Sequence, residues 1–163
     1  MNGAAPGRPR SRGQAIAEFA LVAPIFFLLL FGIIEGGRFV FYYEVLNSAT
    51  REGARFAIVH GSNAADGCPS GPMPGGTPSC DLSGANVKQA VANGALRLAD
   101  TGDFTALEVF WCPANAVKPC PGSELNNARG NPVTIRASYA YAPTMPLLPI
   151  ITITSESTLV INN

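Results

Sequence analysis

The sequence predicts an α+β protein: one long N-terminal helix packed on a small antiparallel β-sheet, with one extra helix. Three observations predict it. Residues 19–34 (FALVAPIFFLLLFGII) hold no charged or strongly polar side chain, and apolar spacing continues beyond them at helical intervals. A second, shorter helical pattern begins after Ser83. Beyond residue 103 the chain turns to runs that alternate apolar and polar side chains. Composition agrees. Charged residues are 13% of the 163 residues, about half the roughly 25% of globular chains. Eleven basic and eleven acidic residues leave no net charge, which speaks against a basic nucleic-acid binder. A hydrophobic fraction of 47% speaks against intrinsic disorder.

The first element is a membrane helix. Sixteen residues at about 1.5 Å each cover roughly 24 Å, short of the roughly 30 Å hydrocarbon core. Extension back to Ala15 reaches about 30 Å and takes in Glu18. Arg8, Arg10 and Arg12 precede the run, and Arg38 follows it. The positive-inside rule places the N-terminus in the cytoplasm and the chain from about residue 36 outside. Three readings compete. A cleaved secretory signal needs a small-x-small site after the run, and Glu35-Gly36-Gly37-Arg38 is a poor one. An uncleaved signal anchor needs nothing more. The third is cleavage before the run. Arg12-Gly13-Gln14-Ala15-Ile16-Ala17-Glu18-Phe19 gives a basic stretch, a glycine, a glutamate five residues on, then the apolar helix. That is the order of a prepilin processing site, with Gln14 as the new N-terminus. A small residue suits the scissile position because nothing then obstructs the protease cleft.

Glu18 admits two readings. It is a solvated charge at headgroup level, near enough to the helix start to favour the dipole. Alternatively, it pairs with the α-amino group of a neighbouring subunit. At the centre of a span a carboxylate costs about 2.5–3.5 kcal/mol, and less near the interface.

The helix has no stop at residue 36. Pro24 is tolerated in a membrane helix when neighbours satisfy the freed carbonyl. Phe39, Tyr42, Leu46, Ala49, Gly53 and Phe56 then follow the 3,4-residue repeat, with polar residues between. A helix over Gln14–Val59 would measure about 69 Å, and His60-Gly61 supplies its end. Glu52 lies between Arg51 and Arg55, so local ion pairing accounts for it. Gly53 in a helix interior points to close approach of another element.

Residues 61–82 form a Gly/Pro/Ser loop holding Cys68 and Cys80. Val87, Val91 and Leu98 mark the extra helix over about 84–100, with Ser83 as its N-cap and Thr101-Gly102 as its stop. Asp100 and Asp103 read as turn residues after it. Strands follow at 104–112, 133–142 and 150–161. In the second, Val133, Ile135, Ala137, Tyr139 and Tyr141 alternate with Thr134, Arg136 and Ser138. Between the last two strands lies Met145-Pro146-Leu147-Leu148-Pro149, either a membrane or partner contact or a turn buried under the long helix.

Four cysteines fall as Cys68/Cys80 and Cys112/Cys120, each pair bracketing one Pro/Gly loop. Local pairing is the simplest of three connectivities. Closing a loop of roughly 13 residues would contribute about 3 kcal/mol. Disulfides need an oxidising compartment, which agrees with the arginine topology. The gaps are too wide for the usual C-x₂₋₄-C zinc spacing. His60 is the one histidine, and no metal, cofactor or catalytic motif is present, so an enzyme is not expected.

Glu18-Phe19-Ala20-Leu21-Val22, Pro24, the apolar stretch, Glu35 with Arg38, and Arg51-Glu52-Gly53-Ala54-Arg55 together resemble the TadE-like family. So does the C-terminal run from Ile151 to Thr158. Members are pseudopilins of tight-adherence (Flp) pilus systems, similar to type IV pilins. The resemblance implies a pilin-like fold, cleavage after Gly13 by a prepilin peptidase, and partners among the membrane lipid, other Tad/Flp pilins and assembly proteins. Major Flp pilins are very short with Tyr after the Glu. Here Phe19 and a large outer domain imply a minor pseudopilin. The division expected is a cytoplasmic leader over 1–13, a spanning helix over 14–36, its amphipathic extension over 37–60, and an extracytoplasmic α+β domain over 61–163. Localisation is then the cytoplasmic membrane, single-pass, or the pilus itself. The alternative is an unprocessed, signal-anchored domain that binds an extracytoplasmic ligand. Loss of residues 1–13 removes three arginines and no acid, leaving eight basic and eleven acidic residues.

Overall fold

The computed structural model describes residues 12–95, 104–112, 126–145 and 148–162. The chain divides after Arg38, and its second unit runs from Phe39 to Asn163. Among the described residues there are two α-helices and one three-stranded sheet: α1 (Arg12–Val59), α2 (Ala85–Gly94), β1 (Phe104–Phe110), β2 (Pro132–Tyr141) and β3 (Ile151–Val160). The α+β class and the uninterrupted long helix are as expected. Pro24 lies within α1.

The sheet is antiparallel throughout, in the order β1-β2-β3. Period-2 alternation sends Val133, Ile135, Ala137 and Tyr141 of β2, with Ile153 of β3, to one face. There they meet the stripe that helical spacing builds on α1: Leu46, Ala49, Ala54 and Ala57, all buried. Val87, Val91 and Ala95 complete this core, with Phe39, Tyr42 and Phe56 packed at its margin.

Gly53 has the cause its position suggested. A Cβ there would overlap Val91 Cγ2 and lie 3.3 Å from Ile135 Cδ1. Gly94 of α2 faces back, where a Cβ would stand 3.3 Å from Ala49 Cα. The two helices therefore meet on small residues, and one shared layer touches α1, α2 and β2. Glu52 pairs with Arg55 at 3.6 Å, both well exposed, so this local pair does little for stability.

On the other face of the sheet, hydroxyls pair across strands. Thr134 Oγ1 donates to the Cys112 carbonyl at 2.6 Å and lies 2.8 Å from Thr158 Oγ1. Ser138 and Thr154 hydroxyls lie 3.1 Å apart. These bonds let Thr134 and Ser138 be buried although alternation alone marks them as polar and outward.

Two sequence expectations change. The N-cap of α2 is not Ser83. Gly84 holds the cap position at φ 68°, and Asp81 reaches in from three residues earlier. Its carboxylate accepts from the Ala85 N–H at 2.7 Å and the Asn86 N–H at 2.8 Å. Ser83 Oγ donates to the same carboxylate at 3.3 Å instead. The longer reach comes from a turn that Gly84 makes possible in the left-handed region. Asp81→Ala is therefore expected to cost about 1–2 kcal/mol, while Ser83→Ala stays within about 0.5 kcal/mol. Urea midpoints of the two variants check this, and equal losses would return the cap to Ser83.

The other change is at β1, which ends at Phe110. Trp111 leaves the strand and is buried at 4% exposure. Its indole lies against Gly71 and Gly84, both at positive φ. The third strand begins and ends one residue inside its expected bounds. Leu148 is exposed, so the turn before β3 does not bury it under α1. The expected stop at Thr101-Gly102, the residues Asp100 and Asp103, and Pro146-Leu147 lie outside the described residues.

Candidate functional site

In the first unit, α1 begins at Arg12, which sets Gly13, Gln14 and Glu18 in its first two turns. All three are exposed. No atom stands within 4 Å of where a Gly13 Cβ would be, so the peptide on either side of it is open to approach. Gln14 and Glu18 are one turn apart and share a face. The Gln14 amide Nε2 donates to Glu18 Oε1 at 3.1 Å. The first turn of α1 holds no acidic residue, because Glu18 falls in the second. Residues 1–11, with Arg8 and Arg10, lie outside the described residues.

From Gly13 to Ile34 every residue is exposed except Ala23, which is half-buried. Phe19 is 70% exposed and Leu21 72%. Water would penalise such a surface at about 25 cal/mol for each Å² of apolar area, so something apolar must cover it. The helix is long and apolar enough to cross a membrane, and none of its apolar window is buried. This suggests a single-pass membrane anchor.

Two features of this helix were not drawn from the sequence. Gly32 and Gly36 are one turn apart, and no atom stands within 4 Å of a Cβ at either. The G-x-x-x-G spacing that lets membrane helices approach closely was there to be read. Glu35 is buried at 6% exposure and accepts from Arg38 Nη1 at 3.3 Å. No local pattern distinguishes such a carboxylate from a solvated one.

Cys68 and Cys80 are joined, with Cα atoms 5.0 Å apart and a sequence separation of 12. Among the described residues no cysteine is free. Cys120, the expected partner of Cys112, lies outside the described residues. The loop closed by Cys68 and Cys80 is also tied by Asn127, fully buried, whose Nδ2 donates to the Ser70 carbonyl at 2.9 Å. Its backbone N–H donates to the Pro72 carbonyl at 2.7 Å.

The exposed sheet face carries one charged cluster. Arg136 stands between Glu156, at 3.1 Å, and Glu108, at 4.0 Å, and its guanidinium carbon lies 5.8 Å from the Phe110 ring centroid. Each group finds its partner within the sheet by cross-strand register, so the cluster is a structural ladder. His60 closes α1: its Nδ1 lies 2.9 Å from the Phe56 carbonyl and its Nε2 3.2 Å from Asp66 Oδ2. Among the described residues no three His, Cys, Asp or Glu side chains converge to hold a metal.

No curated protein matches this chain, and neither does any solved structure. One stretch has a known counterpart, and it holds Gly13, Gln14, Glu18, the uncovered apolar helix, Glu35 and the Gly53 contact. Residues 13–55 match the family model described as TadE-like protein.

Proposed function

We propose that this chain is a membrane-anchored minor pseudopilin that takes part in assembly of a tight-adherence (Flp-type) pilus. The family match over residues 13–55 suggests a Tad pilus-associated protein. The observation that carries the finer reading is an uncovered apolar helix with Gly13 and the carboxylate of Glu18 at its open start. A prepilin peptidase cuts after Gly13 and leaves Gln14 as the N-terminus. The helix is held in the cytoplasmic membrane, with the disulfide-bonded domain outside. It then packs against helices of other Tad/Flp pilins and assembly proteins, and Gly32 and Gly36 supply the notch for close approach.

Glu18 sets the register. Its own chain offers it the Gln14 amide, a neutral donor. The α-amino group of a neighbouring subunit is a charged donor, so it adds the attraction of opposite full charges to the hydrogen bond. In lipid the exchange is favourable, because the neutral amide leaves a net charge there and the ammonium group neutralises it. Leaving the membrane lipid for the pilin bundle therefore satisfies Glu18 and the new amine together.

Protein isolated from its native host is expected to begin at Gln14 by N-terminal sequencing. A chain that keeps Met1–Gly13 would overturn the reading and favour the unprocessed, ligand-binding anchor. Glu18→Ala is expected to lower pilus number by more than about tenfold, the equivalent of one charged hydrogen bond. Unchanged processing together with unchanged piliation would remove the pairing role.

A further inference from the structure

We propose that Gln14, once it is the N-terminal residue, is a site of cyclisation to pyroglutamate, and that Glu18 holds this closure back through its bond to the Gln14 side chain. Closure rests on the reading that the chain is cut after Gly13.

An N-terminal glutamine carries a nucleophile and an electrophile on one residue. The lone pair of the α-amino nitrogen attacks Cδ of the side-chain amide. The Cδ–Nε2 bond breaks, a proton passes from the amine to the leaving nitrogen, and ammonia departs. The product is a cyclic lactam, and no oxidant, reductant or co-reactant takes part. Both groups belong to one residue, so the step is unimolecular and needs no second molecule to be brought up. Before the cut the same nitrogen is a peptide nitrogen, whose lone pair is taken up in resonance, so the precursor does not close. Cutting after Gly13 frees the nucleophile.

The Gln14 side chain is drawn the other way. Its Nε2 donates to Glu18 Oε1 at 3.1 Å. Glu18 lies one turn on, about 6 Å further along the helix axis. The bond thus pulls the amide toward the C-terminal side, away from the α-nitrogen it must meet. Donation to a carboxylate also leaves more electron density on the amide, so Cδ is a poorer electrophile and Nε2 a poorer leaving group. Ala15, Ile16 and Ala17 carry no side-chain acceptor, which leaves Glu18 as the acceptor within helical reach. Gln14 is exposed, so this bond, and not packing, orders its amide. The bond outlasts the cut, because the Gln14 carbonyl and the Glu18 N–H form the first rung of the shortened helix.

Closure would disable the subunit. The lactam nitrogen is neutral, so a cyclised chain has no ammonium group to offer a neighbour's Glu18. One carboxylate therefore serves twice: it preserves the amine of its own chain and receives that of the next. Once the amine is held as an ammonium group its lone pair is occupied by a proton, and closure stops.

The test uses the mature chain, residues 14–163, released in detergent micelles from an N-terminal fusion by a protease that leaves no extra residue. Mass spectrometry of the N-terminal peptide at neutral pH follows the loss of ammonia. Glu18→Ala is expected to close about three- to tenfold faster than wild type, the weight of one such hydrogen bond. Glu18→Gln, whose amide oxygen is a weaker acceptor, falls between them. The double change Ile16→Glu with Glu18→Ala keeps an acid near the amine but moves it off the Gln14 face, and is expected to close as fast as Glu18→Ala. Equal rates in wild type and Glu18→Ala overturn the inference. A wild-type rate in the double variant also overturns it, by assigning the effect to charge alone. Undiminished ammonia loss in Gln14→Ala would place the reaction at another residue and overturn it too. Protein from the native host separates the two readings. A chain that keeps Met1–Gly13 removes the cut and the closure with it, whereas a native start at Gln14 together with equal rates removes the closure alone.

Discussion

Ile135→Ala is expected to destabilise the outer domain by about 2–5 kcal/mol, the range of large-to-small changes in packed cores. Ile135 is fully buried at the middle of β2, where it is paired with Val109 on β1 and Ser157 on β3. Its Cδ1 fills the space above Gly53, beside Val91 of α2. The lost methyl groups leave a hollow walled by α1, α2 and the sheet. Gly53 has no side chain with which to fill it, and its helix cannot move inward without meeting Val91. Collapse is therefore blocked and the loss belongs in the upper half of the range. Ile135→Val should cost about 0.5–1.5 kcal/mol. Denaturant midpoints for both variants, with Arg55→Ala as a surface control, check the ordering. A loss from Ile135→Ala below that from Ile135→Val would mean the three-element layer does not carry the domain.

Gly71→Ala should be comparably damaging, for a different reason. Gly71 sits at φ 96°, where an L side chain is strained by about 1–2 kcal/mol. The new methyl group would also overlap the Trp111 indole. Overpacking adds about 1–3 kcal/mol, for a total of about 2–5 kcal/mol. The Gly71 N–H donates to the Asp81 carbonyl at 2.8 Å, and Asp81 caps α2. Displacement of Gly71 therefore spreads to the start of that helix. Gly75 also has positive φ, but open space surrounds it, so Gly75→Ala isolates the backbone term. Thermal unfolding of the two variants, with Trp111 fluorescence as the local probe, separates them. Equal shifts would show that the indole does not press on Gly71.

The parts of the fold that follow from periodicity were readable in advance. Residues 39–56 repeat apolar side chains every three or four positions, and those are the residues that meet the sheet. Strict alternation over 133–141 gave both faces of β2. Gly53 stood out because glycine costs a helix stability and so requires a reason. What could not be read depends on contacts between segments far apart in sequence. Asp81 caps a helix across a left-handed glycine, whereas the local rule favours the nearer Ser83. Trp111 leaves its strand because Gly71 and Gly84, in two loop segments, make room for it. Glu35 is buried next to a run of sixteen apolar residues, and no local pattern in the sequence marks that burial. For the candidate site, Gly13, Gln14 and Glu18 were named from order along the chain. The Gln14–Glu18 bond followed from helical spacing but was not foreseen.

The tie between Ser155 and Asn47 spans 108 residues, and it bears on when the domain can form. The helical half of the core is synthesised well before the strand that closes over it. Contacts of such separation carry a large entropic cost before any stabilisation returns, and they slow folding. Until β3 is made, Leu46, Ala49 and Ile135 thus remain without the strand that completes their shelter. A chain cut before Ile151 would lose the partner of Asn47 and every rung of β2's second edge, and its half-built core would be left to proteases.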